Sequence, residues 1–267
     1  MPAESLMVKR LALLFFVVAF FIFAAYALVM PDIAKLRKEN PGKTSFMEYR
    51  EREAKEKGKR YRIAQVWMPL SRISPYLIKA VLIAEDDKFW KHEGFDYEAI
   101  QKAMEKDIKA KKFKLGGSTI SQQLAKNLYL SPSKNPVRKI TEAVITWRME
   151  KALSKKRILE LYLNVVEWGE GIFGAEAAAR TYFGKSSSEL TAEEAARLAA
   201  VLPNPRRYKA TGDQRYVLKR SNLIYSIMVR RGIVIPEYRE VMEESGASPE
   251  AETEPLHVPI EKLKPAE

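Results

Sequence analysis

An uninterrupted uncharged stretch near the start of the chain, Leu11–Met30, is the feature that most limits how this polypeptide can fold. It is rich in Leu, Phe, Val and Ala, and about 20 such residues cross the ~30 Å hydrocarbon core of a bilayer. A cleaved signal peptide is the alternative, since Lys9 and Arg10 precede the run and an Ala-Tyr-Ala tripeptide at 25–27 fits a cleavage site. Signal-peptide apolar regions usually span about 7–15 residues. The length therefore predicts an uncleaved transmembrane helix.

The rest of the chain divides by composition into a connector, a folded domain and a tail. Residues 31–62 form a charged membrane-proximal connector, in which Tyr49–Arg62 alternates acids and bases as exposed helices do. Residues 63–232 show helical periodicity nearly throughout and no alternating strand pattern of useful length, which predicts a mostly α domain. Prolines recur through the tail from Gly246, at positions 249, 255, 259 and 265, so we expect the C-terminal extension at 233–267 to be partly disordered.

The charge balance points to an anionic partner. Lys and Arg outnumber Asp and Glu by 46 to 34, a formal charge of +12. Nucleic acid, an anionic membrane face and a phosphorylated substrate would each satisfy that excess. The chain has no cysteine, which excludes disulfides and thiolate metal sites without identifying the compartment.

An acidic run, Glu85-Asp86-Asp87, stands where a helix should end. Ser74 and Pro75 are suitable N-cap and first residues for that helix. The C-terminus of a helix carries partial negative charge, so carboxylates there are locally unfavourable and raise one another's pKa. Such a conflict often marks a functional site. The alternative is a solvated acidic turn paired with Lys88 and Lys91, and these residues alone favour it.

A glycine-rich turn opens a second candidate region. Asp96 is the predicted N-cap of a helix from Tyr97 to about Lys111, and Gly116-Gly117-Ser118 then breaks the chain and caps a helix from Thr119 to about Tyr129. A turn of this kind running into a helix exposes free N–H groups that favour anions. Hydroxyl, amide and ammonium groups share one stripe of the second helix: Thr119, Gln123 and Lys126. The spacing is not that of a Walker phosphate loop.

Two further groups have ordinary structural explanations when taken alone. Arg138 and Glu142 lie four residues apart on a helix that is apolar on two sides, so Glu142 is expected to be partly enclosed. A simple helical ion pair, worth ~0.2–0.5 kcal/mol, is the alternative. A lone histidine such as His92 is most often bonded to a neighbour for structural reasons.

Five stretches, in chain order, resemble the motifs of the peptidoglycan glycosyltransferases (glycosyltransferase family 51): EDDKFWKHEGFD, GGSTISQQLAKN, RKITEAVITWRME, KKRILELYLNVVEWGEGIFGAEAAARTYFGK and ELTAEEAARLAAVLPNPRRY. The resemblance covers roughly Ile73 to Tyr208. Ser121 stands where the family usually has threonine, and it should still donate a hydroxyl. With one anchor and no room for a transpeptidase domain, the chain resembles the monofunctional, biosynthetic type.

The resemblance implies a mostly α, lysozyme-like helical glycosyltransferase domain preceded by one transmembrane helix. It places residues 1–10 in the cytoplasm, 11–30 in the cytoplasmic (inner) membrane as a single pass, and the domain at 63–232 on the periplasmic or extracellular side. The implied reaction polymerises lipid II into linear β-1,4 glycan strands by inverting transfer, with release of undecaprenyl diphosphate. Implied partners are lipid II, the growing glycan chain, the bilayer and proteins of cell-wall synthesis or division, and not nucleic acid.

Site residues follow from the matched motifs. Glu85 corresponds to the general base that deprotonates the acceptor 4-hydroxyl. Glu142 corresponds to the second glutamate, which assists departure of the diphosphate directly, through a metal or by positioning. The implied substrate-binding residues are Asp86, Ser118, Thr119, Gln123, Lys126, Asn127, Arg138, Lys139, Glu150 and Tyr162.

The chemistry of the residue types agrees with that assignment. Displacement at an anomeric carbon needs a base on the acceptor and stabilisation of charge on the leaving diphosphate. An acidic run followed by an Arg/Lys-rich set supplies both. The sequence requires no cofactor and shows no dedicated metal cage, although Mg²⁺ or Mn²⁺ could help neutralise the diphosphate. A lysozyme-like lytic muramidase and a non-catalytic, membrane-anchored basic scaffold are the alternatives.

Overall fold

The computed structural model describes residues 30–101, 117–132 and 136–234, together with positions 13, 14, 16, 17 and 105. Most of the predicted anchor, most of the helix predicted after Asp96 and residues 235–267 lie outside the described residues. Within the described part of the chain, no helix is both long enough and apolar enough to cross a membrane.

The described residues are mostly helical, as the hydrophobic periodicity predicts. Their α-helices are α1 (Ser45–Glu56), α2 (Pro75–Glu85), α3 (Ile120–Tyr129), α4 (Pro136–Ala152), α5 (Lys155–Val165), α6 (Ala175–Phe183), α7 (Ala192–Val201) and α8 (Arg215–Arg230). Residues 97–101 are also helical. Short 3₁₀ turns occupy Ala34–Arg37, Leu70–Arg72, Phe89–Lys91 and Ser187–Glu189.

A small sheet, which the sequence did not predict, lies beside the helices. Its strands are β1 (Ala64–Gln65), β2 (Glu167–Gly169) and β3 (Ile172–Phe173) in the order β1-β3-β2. β3 pairs parallel with β1 and antiparallel with β2. Strands of two or three residues are too short to show an alternating pattern, so hydrophobic periodicity does not reveal them.

The helices form two packed groups, and the predicted base lies at the end of α2, between them. α2 packs against α7 and α8, whereas α3 packs against α4 and α5. From Ile158 onward α5 is largely buried, and Ile158, Leu159 and Leu163 have no exposed surface. Each such side chain contributes roughly 1.5–3 kcal/mol on burial. A hydrogen bond from Gln123 on α3 to Glu85 on α2 joins the two groups.

Gly94, in the loop after the acidic run, occupies a position that only glycine suits. Its φ is +89°, and a Cβ there would lie 2.9 Å from side-chain carbons of both Thr146 and Glu150 on α4. We expect Gly94→Ala to lower the free energy of unfolding by about 2 kcal/mol or more, because backbone strain and a steric clash act together. Chemical denaturation of the full chain in detergent measures this loss.

Substitutions at two other glycines distinguish the backbone strain from the steric clash. Gly58 has φ +65° with no atom within 4 Å of an added Cβ, so Gly58→Ala should cost only the backbone term of about 1 kcal/mol. Gly42 has open space and no such φ, so Gly42→Ala should be neutral. Equal losses in Gly94→Ala and Gly58→Ala would contradict the steric part of this prediction.

Candidate active site

Glu85 is the last residue of α2 and is largely buried. Its Oε2 accepts a hydrogen bond from Gln123 Nε2 at 2.9 Å. Its Oε1 is buried and has no hydrogen-bond partner among the described residues, and Arg220 Nη2 lies 3.5 Å away. Burial raises the pKa of Glu85, because water no longer stabilises the carboxylate. A carboxylate with a raised pKa and an unbonded oxygen is suited to accepting a proton.

A fully buried tyrosine orients the amide that holds Glu85. Tyr162 OH on α5 donates to Gln123 Oε1 at 3.1 Å. Burial raises the pKa of Tyr162 well above its ordinary value, so this phenol stays protonated and remains a donor. The Gln123 carbonyl therefore faces Tyr162 and its NH₂ group faces Glu85. Tyr162 acts on the predicted base through Gln123 rather than directly.

Asp86 joins α2 to the start of α3. One carboxylate oxygen lies 2.9 Å from His92 Nε2, and the other accepts the backbone N–H of Ile120 at 2.9 Å. Gly94 N–H donates to His92 Nδ1 at 3.1 Å, so that nitrogen carries no proton and Nε2 is the donor to Asp86. His92 thus has the structural role expected of it. Both oxygens of Asp86 are held by protein donors.

Thr119, not Ser118, is the N-cap of α3. Thr119 Oγ1 accepts from Gln122 N–H at 3.2 Å, and Gln122 Oε1 accepts from Thr119 N–H at 3.0 Å, which is a capping box. The predicted cap at Ser118 is therefore wrong by one residue, although the Thr-x-x-Gln spacing would have located it. Ser118 is exposed and lines a cleft of about 260 Å³ together with Glu85.

Glu142 on α4 is a buried carboxylate held between two cations. It is 3% exposed; Arg138 Nη1 lies 3.0 Å from one oxygen, and Lys139 Nζ contacts the other. Lys126 on α3 is half-buried, and burial lowers its pKa. Its charge interacts with both Glu142 and Glu85. Two cations thus contact the Glu142 carboxylate, and a third, Lys126, interacts electrostatically with both that carboxylate and the predicted base.

Two other predicted site residues lie deeper in the helical packing. Glu150 on α4 accepts from Ser121 Oγ on α3 and from Lys155 Nζ on α5, the latter at 2.8 Å. This carboxylate therefore links three helices. Asn127 lies in the second half of α3 and is buried.

The predicted residues therefore fall into distinct sets. Glu85, Gln123 and Tyr162 form one hydrogen-bonded chain, and Glu142, Arg138 and Lys139 form an ionic cluster. Lys126 interacts electrostatically with both sets. The described residues contain no cluster of three or more His, Cys, Asp or Glu side chains that could hold a metal ion.

Comparison with known proteins decides the family. A family model described as transglycosylase matches residues 52–229. The chain belongs to the transglycosylase family. This transglycosylase is 46% identical over 220 residues to a biosynthetic peptidoglycan transglycosylase of Nitrosospira multiformis, an alignment covering 82% of this chain and 95% of the relative.

Other relatives with the same name give the same result. That of Dechloromonas aromatica is 57% identical over 169 residues, covering 63% of this chain and 73% of the relative. That of Azoarcus sp. is 53% identical over 193 residues, covering 70% and 84%. The resemblance to monofunctional peptidoglycan glycosyltransferases is thereby confirmed.

Sequence reasoning missed two arginines that contact the acidic run. Arg220 on α8 approaches Glu85, and Arg231, just after α8, contacts both carboxylate oxygens of Asp87 at 2.5 and 2.9 Å. Both lie outside the five motifs. The available signal was a basic amphipathic helix near the C-terminus, in a chain whose acidic run lacked the cations expected at a helix end.

Proposed function

We propose that this transglycosylase polymerises lipid II into linear β-1,4 glycan strands of peptidoglycan, with inversion at the anomeric carbon and release of undecaprenyl diphosphate. One observation carries the proposal: a buried glutamate with a raised pKa and an unbonded oxygen lies near a cluster of cations. The family and the names of its relatives agree with it. We also propose that the helical domain is lysozyme-like.

Glu85 is proposed as the general base. The acceptor 4-hydroxyl gives its proton to Glu85 as its oxygen bonds to the donor's anomeric carbon, and the bond from that carbon to the diphosphate oxygen breaks. The electron pair of that bond leaves with the diphosphate. Gln123 holds Oε2 in place, so Oε1 is the oxygen with spare capacity to accept.

The cation cluster is proposed to hold the leaving diphosphate. Negative charge develops on that group as the glycosidic bond forms, and positioned cations stabilise the transition state more than the ground state. Lys126, Arg138 and Lys139 supply these charges. Lys126 interacts electrostatically with both Glu85 and Glu142, which supports a role for its charge near both the base and the leaving group.

Glu142 is proposed to act by positioning the cations rather than as a second acid. Its two oxygens contact Arg138 and Lys139, so both are already engaged by protein cations. A group held in this way orients two flexible side chains toward the diphosphate. Asp86, with both oxygens bonded to protein donors, is likewise proposed to position α3 against α2.

The carboxylates of the described site do not fit a resident divalent metal. Mg²⁺ prefers several free oxygen ligands in octahedral geometry, whereas the oxygens of Glu142 and Asp86 are occupied by cations or hydrogen-bond donors. We therefore propose that a Mg²⁺ or Mn²⁺ ion, where one takes part, arrives on the substrate's diphosphate. No step of the proposed reaction is routed through it.

A lytic muramidase fits these contacts less well. Hydrolysis of a glycan uses two carboxylates on opposite sides of the scissile bond and needs no phosphate clamp. Glu142 is neutralised by two cations and is poorly suited to that second role. A non-catalytic basic scaffold would account for the charge of the chain but not for a buried, unbonded carboxylate oxygen beside it.

One assay separates the three functions. Full-length protein in detergent is given either lipid II or preformed glycan strands, and polymer, released undecaprenyl diphosphate and shortened strands are measured. Polymer and diphosphate from lipid II support the proposal. Shortened strands without polymer would establish a hydrolase, and no turnover of either substrate by folded protein would favour the scaffold.

The bilayer is proposed as a further partner, because α4 has an exposed apolar stripe. Val137, Ile140 and Trp147 share one face of this helix and are 60%, 64% and 55% exposed. Tryptophan is enriched at membrane interfaces. We propose that residues 11–30 anchor the chain in the cytoplasmic membrane and that this stripe contacts the outer leaflet, where the lipid-linked substrate is held. Partners from cell-wall synthesis or division stay a prediction.

We expect protease added to intact spheroplasts to digest the chain after Met30, because the domain is proposed to lie outside the cytoplasm. Sequencing of the mature N-terminus should still find Lys9 and Arg10. A cytoplasmic protein of the same cells, intact after treatment, is the control. Protection of the domain would reverse the topology, and an N-terminus near Leu28 would mean that the apolar run is a cleaved signal.

A further inference from the structure

We propose that Arg220, on α8, is a positioning residue for Glu85: it holds the end of α2 and keeps the carboxylate aligned. This inference rests on the proposed function of Glu85 as the base. Arg220 lies outside the five motifs.

One guanidinium group contacts both the backbone before Glu85 and the Glu85 side chain. Arg220 Nη2 donates to the carbonyl oxygen of Ala84 at 3.0 Å. That carbonyl belongs to the last turn of α2, where C=O groups have no partner within the helix. The same Nη2 lies 3.5 Å from Glu85 Oε1. Arg220 therefore caps the helix and faces the carboxylate at once.

This contact offsets the repulsion between the acidic run and the negative C-terminal end of α2. A helix C-terminus disfavours carboxylates and favours cations, and no Lys or Arg lies in the last turn of α2. α8 packs against α2 and supplies the missing charges from another part of the chain. Arg220 approaches Glu85, and Arg231 makes a two-bond contact with Asp87.

Two unbonded atoms lie on these neighbouring side chains. Glu85 Oε1 and Arg220 Nε are both buried without a hydrogen-bond partner among the described residues. Buried polar atoms are normally bonded, and exceptions call for an explanation such as a catalytic role. An acceptor on the base and a donor on the arginine are thus both available when an acceptor hydroxyl arrives, while Nη2 keeps the helix end in place.

The charges facing Glu85 predict how the pH profile depends on Arg220. The groups that act on the Glu85 carboxylate are Gln123 and Lys126 on α3, Arg220 on α8, Asp86 beside it and the phenol of Tyr162 on α5. Burial raises the pKa of Glu85, whereas Gln123, Arg220 and Lys126 lower it. Loss of Arg220 therefore raises that pKa further, and the base stays protonated up to a higher pH.

The test compares Arg220→Ala, Arg220→Lys and, as a control on the same helix, the exposed Lys219→Ala. For Arg220→Ala in the full-length protein, we expect kcat on lipid II to fall about 10- to 100-fold with KM little changed, because a misplaced base reacts slowly. The acid limb of kcat/KM should move up by about one pH unit. Arg220→Lys, which keeps the charge, should return the limb toward its wild-type position, and Lys219→Ala should match wild type.

A second readout needs no substrate. Infrared titration of the carboxyl stretch, taken as the difference between each protein and the same protein carrying Glu85→Gln, reports the Glu85 pKa directly. A higher pKa in folded Arg220→Ala supports the proposal even if lipid II is not the substrate. An unchanged Glu85 pKa together with an unchanged kcat in Arg220→Ala would overturn the proposal. It would also be overturned if Arg220→Lys had the same Glu85 pKa and the same acid limb of kcat/KM as Arg220→Ala.

Discussion

Glu85→Gln is expected to lower the rate of glycan polymerisation by at least about 10²-fold while the protein stays folded. Glutamine keeps the size of the side chain and can still accept the hydrogen bond from Gln123, but it cannot take the proton of the acceptor hydroxyl. Folding should survive, because the substitution removes a buried charge whose desolvation is unfavourable. The measurements are polymer formation from lipid II and thermal unfolding.

A matched control separates loss of the base from loss of charge. Glu56, at the end of α1, is exposed, so Glu56→Gln should leave both rate and stability unchanged. The wild-type rate should fall as the pH drops through the Glu85 pKa, which burial raises above the ordinary carboxyl value. Near-wild-type synthesis by a folded Glu85→Gln protein would remove Glu85 from the role of base.

Lys126→Met is the second large effect, with an expected loss of about 10²–10³ in kcat. Methionine is similar in length and apolar character to the lysine stem but carries no charge. Lys126 is half-buried and interacts with Glu85 and Glu142, so its charge acts on the leaving group with little screening by water. Lys156 is an exposed lysine on α5, and Lys156→Met should retain wild-type activity.

The same prediction extends to Arg138 and Lys139, the two cations that contact Glu142. Arg138→Ala should reduce turnover by more than a surface ion pair of ~0–1 kcal/mol explains, because the leaving diphosphate would lose one of its proposed cations and Glu142 one of the two that contact it. Lys139→Ala should act in the same direction. Wild-type turnover in Lys126→Met, or in both Arg138→Ala and Lys139→Ala, would mean that the diphosphate is held elsewhere.

Structural features that depend on residues close together in the chain could be predicted from the sequence. The pattern Thr191-Ala192-Glu193-Glu194 is a capping box, and α7 begins as that box requires, with Thr191 Oγ1 accepting from Glu194 N–H. The apolar stripe of Ile120, Leu124 and Leu128 on α3 is buried as its helical spacing indicates. The enclosure of Glu142 also followed, because its helix is apolar on two sides.

Features that depend on distant segments were not predictable in this way. The sheet pairs Ala64 with Ile172, two short stretches far apart in the chain, and neither has a pattern of its own. The acidic run looked like a solvated turn paired with nearby lysines. Only Asp87 is well exposed there, and its partner is Arg231, 144 residues later.

The sequence by itself determined most of the helices, the capping box that starts α7 and the family, because periodicity, capping and motif spacing are carried by residues close together in the chain. Only the tertiary structure decided what surrounds Glu85. Its hydrogen-bond partner Gln123 lies 38 residues away, and Arg220 bonds a carbonyl 136 residues before it. Burial and charge at a carboxylate depend on which elements pack against it, so its pKa is a property of the packed helices rather than of the local sequence.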